Sequence, residues 1–188
     1  MAKLKEEEII DKWSVLIDGA NGRGKELFKI VKERLKEIEA PKVAISEEEI
    51  FPSLIRKIKG EGRTFLVAKN NYLEGYLMYI GAIDYGKQLF ISWYLTSEAS
   101  ASQKLLAKLP WWIQIPLFPL VIFLSIYNRF RGKTVSPADM DIFDLEELTS
   151  YATTVHYAVI NATKEISQSV GFDFAKVNTK SRGFLNIS

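Results

Sequence analysis

Cysteine is absent from this 188-residue chain, and histidine occurs once, at His156. The first absence excludes disulfides, thiol nucleophiles, thiolate zinc sites and haem attachment. The second leaves one candidate for imidazole chemistry, and a metal bound there would need carboxylates from elsewhere in the chain. A dominant charge is also missing. With 25 Lys and Arg against 23 Asp and Glu, the net charge of +2 selects no partner. Residues Met1–Glu8 carry lysines with no apolar stretch behind them, so they do not read as a signal peptide. A reducing compartment fits these absences, and no internal repeat is present.

What the chain does have is apolar residues, 47% of the total against 26% charged, which is a globular rather than a disordered balance. Its length suffices for one ordinary domain, or for a small domain with appendages. The fold class expected is α+β: two N-terminal helices on an antiparallel sheet of about five strands, an apolar membrane-type segment, and a long C-terminal helix.

The first helix is expected over residues 5–18, where Ile9, Ile10, Trp13, Leu16 and Ile17 fall at helical spacing and Gly19 supplies a stop. The second is expected over 25–39, with Leu27, Phe28, Val31, Leu35 and Ile38 on one face. The period then shortens. Val43–Ser46, Leu54–Lys59, Thr64–Lys69, Tyr76–Asp84 and Gln88–Thr96 read as strands, joined by gaps short enough to require antiparallel pairing. The last two are apolar on both faces, which places them centrally, with the helices on one side. Further on, Ser136–Asp139 has the form of a helix start. Leu145, Leu148, Ala152, Val155, Val159, Ala162 and Ile166 then mark a long helix that ends near Gly171.

The strongest local signal lies between Lys108 and Arg129, where 20 consecutive residues carry no charge. A helix of that length spans about 30 Å, the thickness of the hydrocarbon core of a bilayer. Trp111 and Trp112 stand at one end and Tyr127 and Phe130 at the other, as suits the two interfaces of a membrane. Trp111, Trp112, Ile113, Leu117, Phe118, Leu120, Val121, Ile122, Phe123, Leu124 and Tyr127 are the candidate membrane-contacting residues. Lys108, Arg129, Arg131 and Lys133 are the candidates for headgroup contact. Pro116 and Pro119 each remove a backbone donor inside the segment, so a re-entrant anchor is an alternative to a span. Burial in a soluble core or an oligomer interface is a third reading.

Other motifs are weaker. Gly19 through Lys25 has the spacing of a phosphate-binding loop, G-x-x-x-x-G-K, but Glu26 stands where a magnesium-holding Ser or Thr belongs. The segment before it also reads as a helix rather than the required strand, which favours a glycine-rich hinge. Asp139, Asp141, Asp144, Glu146 and Glu147 form an acidic cluster without the glycine or ligand alternation of a calcium loop, so they read as acids at a helix N-terminus. His156 beside the Val155–Val159 seam reads as a flanking or satisfied histidine. Tyr85 and Trp93 are pocket candidates whose commoner role is core. Lys176, Lys180 and Arg182 make the tail basic, but too sparsely for a nucleic-acid surface.

The expected organisation is therefore a cytoplasmic α+β domain (1–108), an apolar membrane anchor with a basic flank (109–134), and a long helix with a basic tail (135–188). Membrane lipid is the expected partner. The seam along 145–166 permits self-association, and neither nucleic acid, metal nor cofactor is expected. The function that follows is a membrane-attached, non-enzymatic interaction or accessory protein. The alternatives are a lipid- or apolar-ligand-binding module and a nucleotide-dependent enzyme using loop 19–25.

Overall fold

A computed structural model describes residues 9–50, 62–73, 75–97, 140–183, 185 and 187. In chain order these form β1 (Ile9–Asp18), α1 (Gly24–Glu37), β2 (Val43–Ile50), β3 (Arg63–Asn70), β4 (Tyr76–Tyr85), β5 (Gln88–Ser97) and α2 (Ile142–Ser169). A single 3-10 turn, Phe174–Lys176, begins the tail. The strands make one antiparallel sheet in the order β1-β5-β4-β3-β2. The class is α+β with a five-stranded antiparallel sheet and a long C-terminal helix.

The membership of that sheet corrects one expectation. Residues 9–18 are not a helix but an edge strand, paired with β5 from Ile9↔Thr96 to Asp18↔Gln88. Asp11, Trp13 and Ile17 are buried while Lys12, Ser14, Leu16 and Asp18 point away, a period of two beneath the apparent period of 3.6. Without this partner one edge of β5 would leave its backbone groups unpaired across an apolar strand, and that long-range demand overrides local spacing. Only α1 remains of the two expected N-terminal helices. β2 runs past its expected end to Ile50, and the strand expected at Leu54–Lys59 lies outside the described residues.

One face of the sheet packs on both helices. From the sheet come Trp13, Ile17, Leu66, Met78, Ile80, Leu89, Ile91, Trp93 and Leu95, and from α1 come Leu27, Phe28, Val31 and Leu35. The seam of α2 (Leu148, Ala152, Val155, Val159, Ala162, Ile166) is buried in this same core, so within one chain it is already occupied. The hydroxyl of Tyr151 fixes α2 to the strands. It donates to the Ala68 carbonyl at 2.7 Å and accepts from the Met78 amide at 3.2 Å, two residues paired across β3 and β4. Asp141 caps α2 by accepting from the amides of Phe143 and Asp144. The helix start expected at Ser136–Asp139 lies outside the described residues.

The tail covers the free edge of β1. Trp13 Nε1 donates to the Asn178 carbonyl at 2.7 Å, and the Arg182 amide donates to the Lys12 carbonyl at 2.7 Å. The fully buried Asp11 carboxylate accepts from Ser181 Oγ and the Leu185 amide, both at 3.1 Å. Gly183 passes so close that a Cβ there would lie 2.5 Å from both Asp11 Cα and the Ile10 carbonyl oxygen. Only glycine fits without moving backbone.

Residues 98–139 lie outside the described residues, and with them the apolar segment 109–134 and every membrane- and headgroup-contacting candidate. Among the described residues no helix is long and apolar enough to cross a membrane. Ser97, where β5 ends, pairs with Tyr76, and the Tyr76 hydroxyl lies 3.8 Å from Met140 Sδ. The chain thus leaves and re-enters the described body at one corner of the sheet.

Candidate ligand site on the outer face of the sheet

Alternation along the strands sends a second set of side chains to the face opposite the helices. On the two strands nearest the tail, the paired rungs are Lys12 with Tyr94, Ser14 with Ser92, and Leu16 with Phe90. The next strands contribute Tyr79, Ile83 and Tyr85 from β4 and Phe65 and Val67 from β3. Phe65 meets Tyr79 edge-on at 6.3 Å and lies over Gly81, where a Cβ would come within 2.9 Å of its ring. An open, mostly apolar cavity of about 370 Å³ lies here, lined by Leu16, Phe65, Ile83, Tyr85, Phe90 and Tyr94 together with Arg63 and Ser92. Leu16 is 40% exposed and Tyr85 76%, so apolar surface at this cavity faces solvent.

A second cleft, of about 280 Å³, adjoins it at Tyr94. Its walls are Lys12 and Ser14 from β1, Tyr94 from β5, and Asn178, Lys180 and Arg182 from the tail, with the edge of Trp13 beneath. Among the described residues no carboxylate lines it, and none of its three cations is ion-paired to another described residue. The placement of Lys180 and Arg182 follows from Ser181. That side chain is buried against Asp11, while its two neighbours are exposed on either side of it. Of the basic tail residues the sequence singles out, the structure brings Lys180 and Arg182 to this cleft. Lys176 stands apart, 3.9 Å from Asp173.

The remaining candidates fall elsewhere. Loop 19–25 does connect a strand to a helix, contrary to the helix expected before it. However, its Gly22 amide donates to the Asp84 carboxylate at 2.8 Å, and Arg23 pairs with Glu26 at 3.2 Å. A protein carboxylate thus holds an amide that a bound phosphate would use. Asp141 and Asp144 serve the cap of α2, and among the described residues no three His, Cys, Asp or Glu side chains converge as metal ligands. Trp93 is core, whereas Tyr85 lines the apolar cavity.

His156 is fully buried, with its ring edge-on to Trp13 and Trp93. Its Nδ1 accepts from Trp93 Nε1 at 3.0 Å, which places the proton of the neutral ring on Nε2. Among the described residues Nε2 has no hydrogen-bond partner. Burial lowers the pKa below its ordinary value of 6.5, against weaker upward pulls from Thr179 and Asp11. The ring is therefore a neutral core group.

Sequence reasoning missed Lys12, Ser14 and Leu16 as site residues because it wound residues 5–18 into a helix, and Phe90, though placed in a strand, then lacked its partner on the outer face. The signal was present in the polar alternation Lys12, Ser14, Asp18, which marks a strand with one wet face. Comparison of the chain with protein-family models, curated proteins and solved structures finds no significant match.

Proposed function

We propose that this protein is a membrane-attached, non-enzymatic module that binds an apolar ligand on the outer face of its sheet. The observation that carries the reading is the open apolar cavity of about 370 Å³, on the face that neither helix covers. Its volume lies at the lower end of the range for small-molecule sites, and its lining is mostly apolar and aromatic, as such sites are. The aromatic rungs stand on internal strands held by the core behind them, so the pocket is pre-formed.

Attachment rests on the uncharged run 109–128 and its basic flank, with the bulk of the chain cytoplasmic and membrane lipid as partner. Ile142 and Phe143, at the start of α2, are apolar and 65% and 74% exposed. Self-association through α2 would have to use these residues with Leu145 and Tyr157, because the seam itself is buried. Protein that resists an alkaline carbonate wash of isolated membranes and needs detergent for release supports attachment. Release by carbonate alone removes it.

Ligand binding is tested with Nile red, a neutral apolar dye. Its fluorescence should rise on binding to the wild type and fall markedly with Leu16→Asp and with Phe90→Asp. Leu16 is exposed enough for the first variant to fold, and thermal unfolding checks both. Dye binding unchanged by either substitution, or absent from the wild type, overturns the reading.

A further inference from the structure

We propose that the ligand is an anionic amphiphile, with an oxyanion head between Lys12, Lys180 and Arg182 and an apolar chain along Leu16 and Phe90. The chain half rests on the apolar-ligand reading above, and the head half rests on the basic cleft alone. Three cations drawn from two separate segments line one cleft to which no described acid contributes. Like charges held together by the fold repel one another, and a bound anion relieves that repulsion.

Their positions are structural. The Arg182 amide is bonded to the Lys12 carbonyl, and buried Ser181 holds Lys180 and Arg182 outward on either side of it. The polarity gradient along the two strands then orders the ligand. Lys12 with Tyr94, Ser14 with Ser92 and Leu16 with Phe90 are successive rungs running from charged to polar to apolar. The first and last are separated by four residues of strand, roughly 13 Å. Tyr94 lines both cavities and so lies where head and chain would join. Its ring gives the chain an apolar wall, and its hydroxyl is a donor for the head.

The test uses the full chain and three probes by calorimetry below the micellar concentration: dodecyl phosphate, dodecanol and inorganic phosphate. Dodecyl phosphate should bind about tenfold or more tightly than dodecanol, since each basic residue adds to the attraction. The Lys12→Ala/Lys180→Ala/Arg182→Ala variant changes exposed side chains only. It should bind dodecyl phosphate no better than dodecanol while its thermal unfolding stays near wild type. Ser14→Glu keeps every cation but sets a like charge between head and chain, and should lose dodecyl phosphate while retaining dodecanol. Equal binding of the two dodecyl compounds to the wild type overturns the anionic head and leaves the apolar cavity standing. Binding of inorganic phosphate with neither dodecyl compound identifies a free anion as the ligand and removes the apolar reading with the amphiphile. If no probe binds, both fall.

Discussion

The two faces of the sheet are built from alternate residues of the same strands, yet they are organised differently. Toward the helices, β5 presents Leu89, Ile91, Trp93 and Leu95, all fully buried, against seams from α1 and α2. Toward the other side the same strand presents Phe90, Ser92 and Tyr94, which border cavities together with cations from β1 and the tail. The helix-facing layer is close-packed and apolar, where each methylene removed leaves a void. The other layer mixes aromatic, hydroxyl and basic groups and keeps open space. One strand thus divides its residues between a sealed core and a partly open face, and neighbours in sequence have opposite surroundings.

The sharpest test of that contrast is a pair of substitutions three residues apart. Trp93→Ala should destabilise the protein by about 3–5 kcal/mol in chemical unfolding, through cavity formation in the core and loss of the bond to His156. Phe90→Ala, on the half-open face, should cost only about 1 kcal/mol, because its area is incompletely buried. Equal losses would abolish the distinction between the faces.

A smaller effect should follow from Gly183→Ala, which tests whether the tail is a fixed wall of the basic cleft. The added methyl meets backbone, not a flexible side-chain end, so the contact must open at a cost of about 1–3 kcal/mol. The tail should become protease-sensitive near Asn178, and Trp13 emission should shift to the red as its bond to the Asn178 carbonyl opens. Unaltered proteolysis would mean that the tail is not held in this way.

The smallest effect is confined to acid and belongs to the helix-facing side. His156 has a folded pKa below 6.5, so the unfolded chain takes up a proton that the folded chain refuses. Stability should therefore fall as pH drops through about 6.5, and this loss should end below the depressed folded value. His156→Gln keeps a neutral acceptor for Trp93 and should flatten the stability–pH curve over that window. Parallel curves for wild type and variant would show that the ring does not titrate as its burial requires.

How much of this was legible in the sequence varies by element. α1 was readable because Leu27, Phe28, Val31 and Leu35 make an apolar stripe along an otherwise charged helix, which only one period explains. The paired strands β4 and β5 were readable from their apolar runs and the turn at Gly86, and α2 from its seam. β1 was not, because Ile9, Ile10, Trp13, Leu16 and Ile17 fit a helical spacing as well as a strand, and the deciding partner lies some 80 residues away. The basic cleft was hidden for the same reason. Lys12 and Arg182 are 170 positions apart, and they meet only because the tail bonds to the edge of β1.

The sequence by itself determined the α+β class, the periodic elements with strong local patterns, the absence of thiol chemistry and the existence of an uncharged run. These are properties of composition and of spacing within one element, which local physics reads directly. Only the tertiary structure decided that residues 9–18 extend, which sheet face meets the helices, and that Lys12, Lys180 and Arg182 share one cleft. Those outcomes depend on satisfying backbone groups at a sheet edge and on burying Asp11 against the returning tail. Both are contacts between segments far apart in the chain, and the local pattern at 9–18, which fits strand and helix spacing alike, does not decide between them.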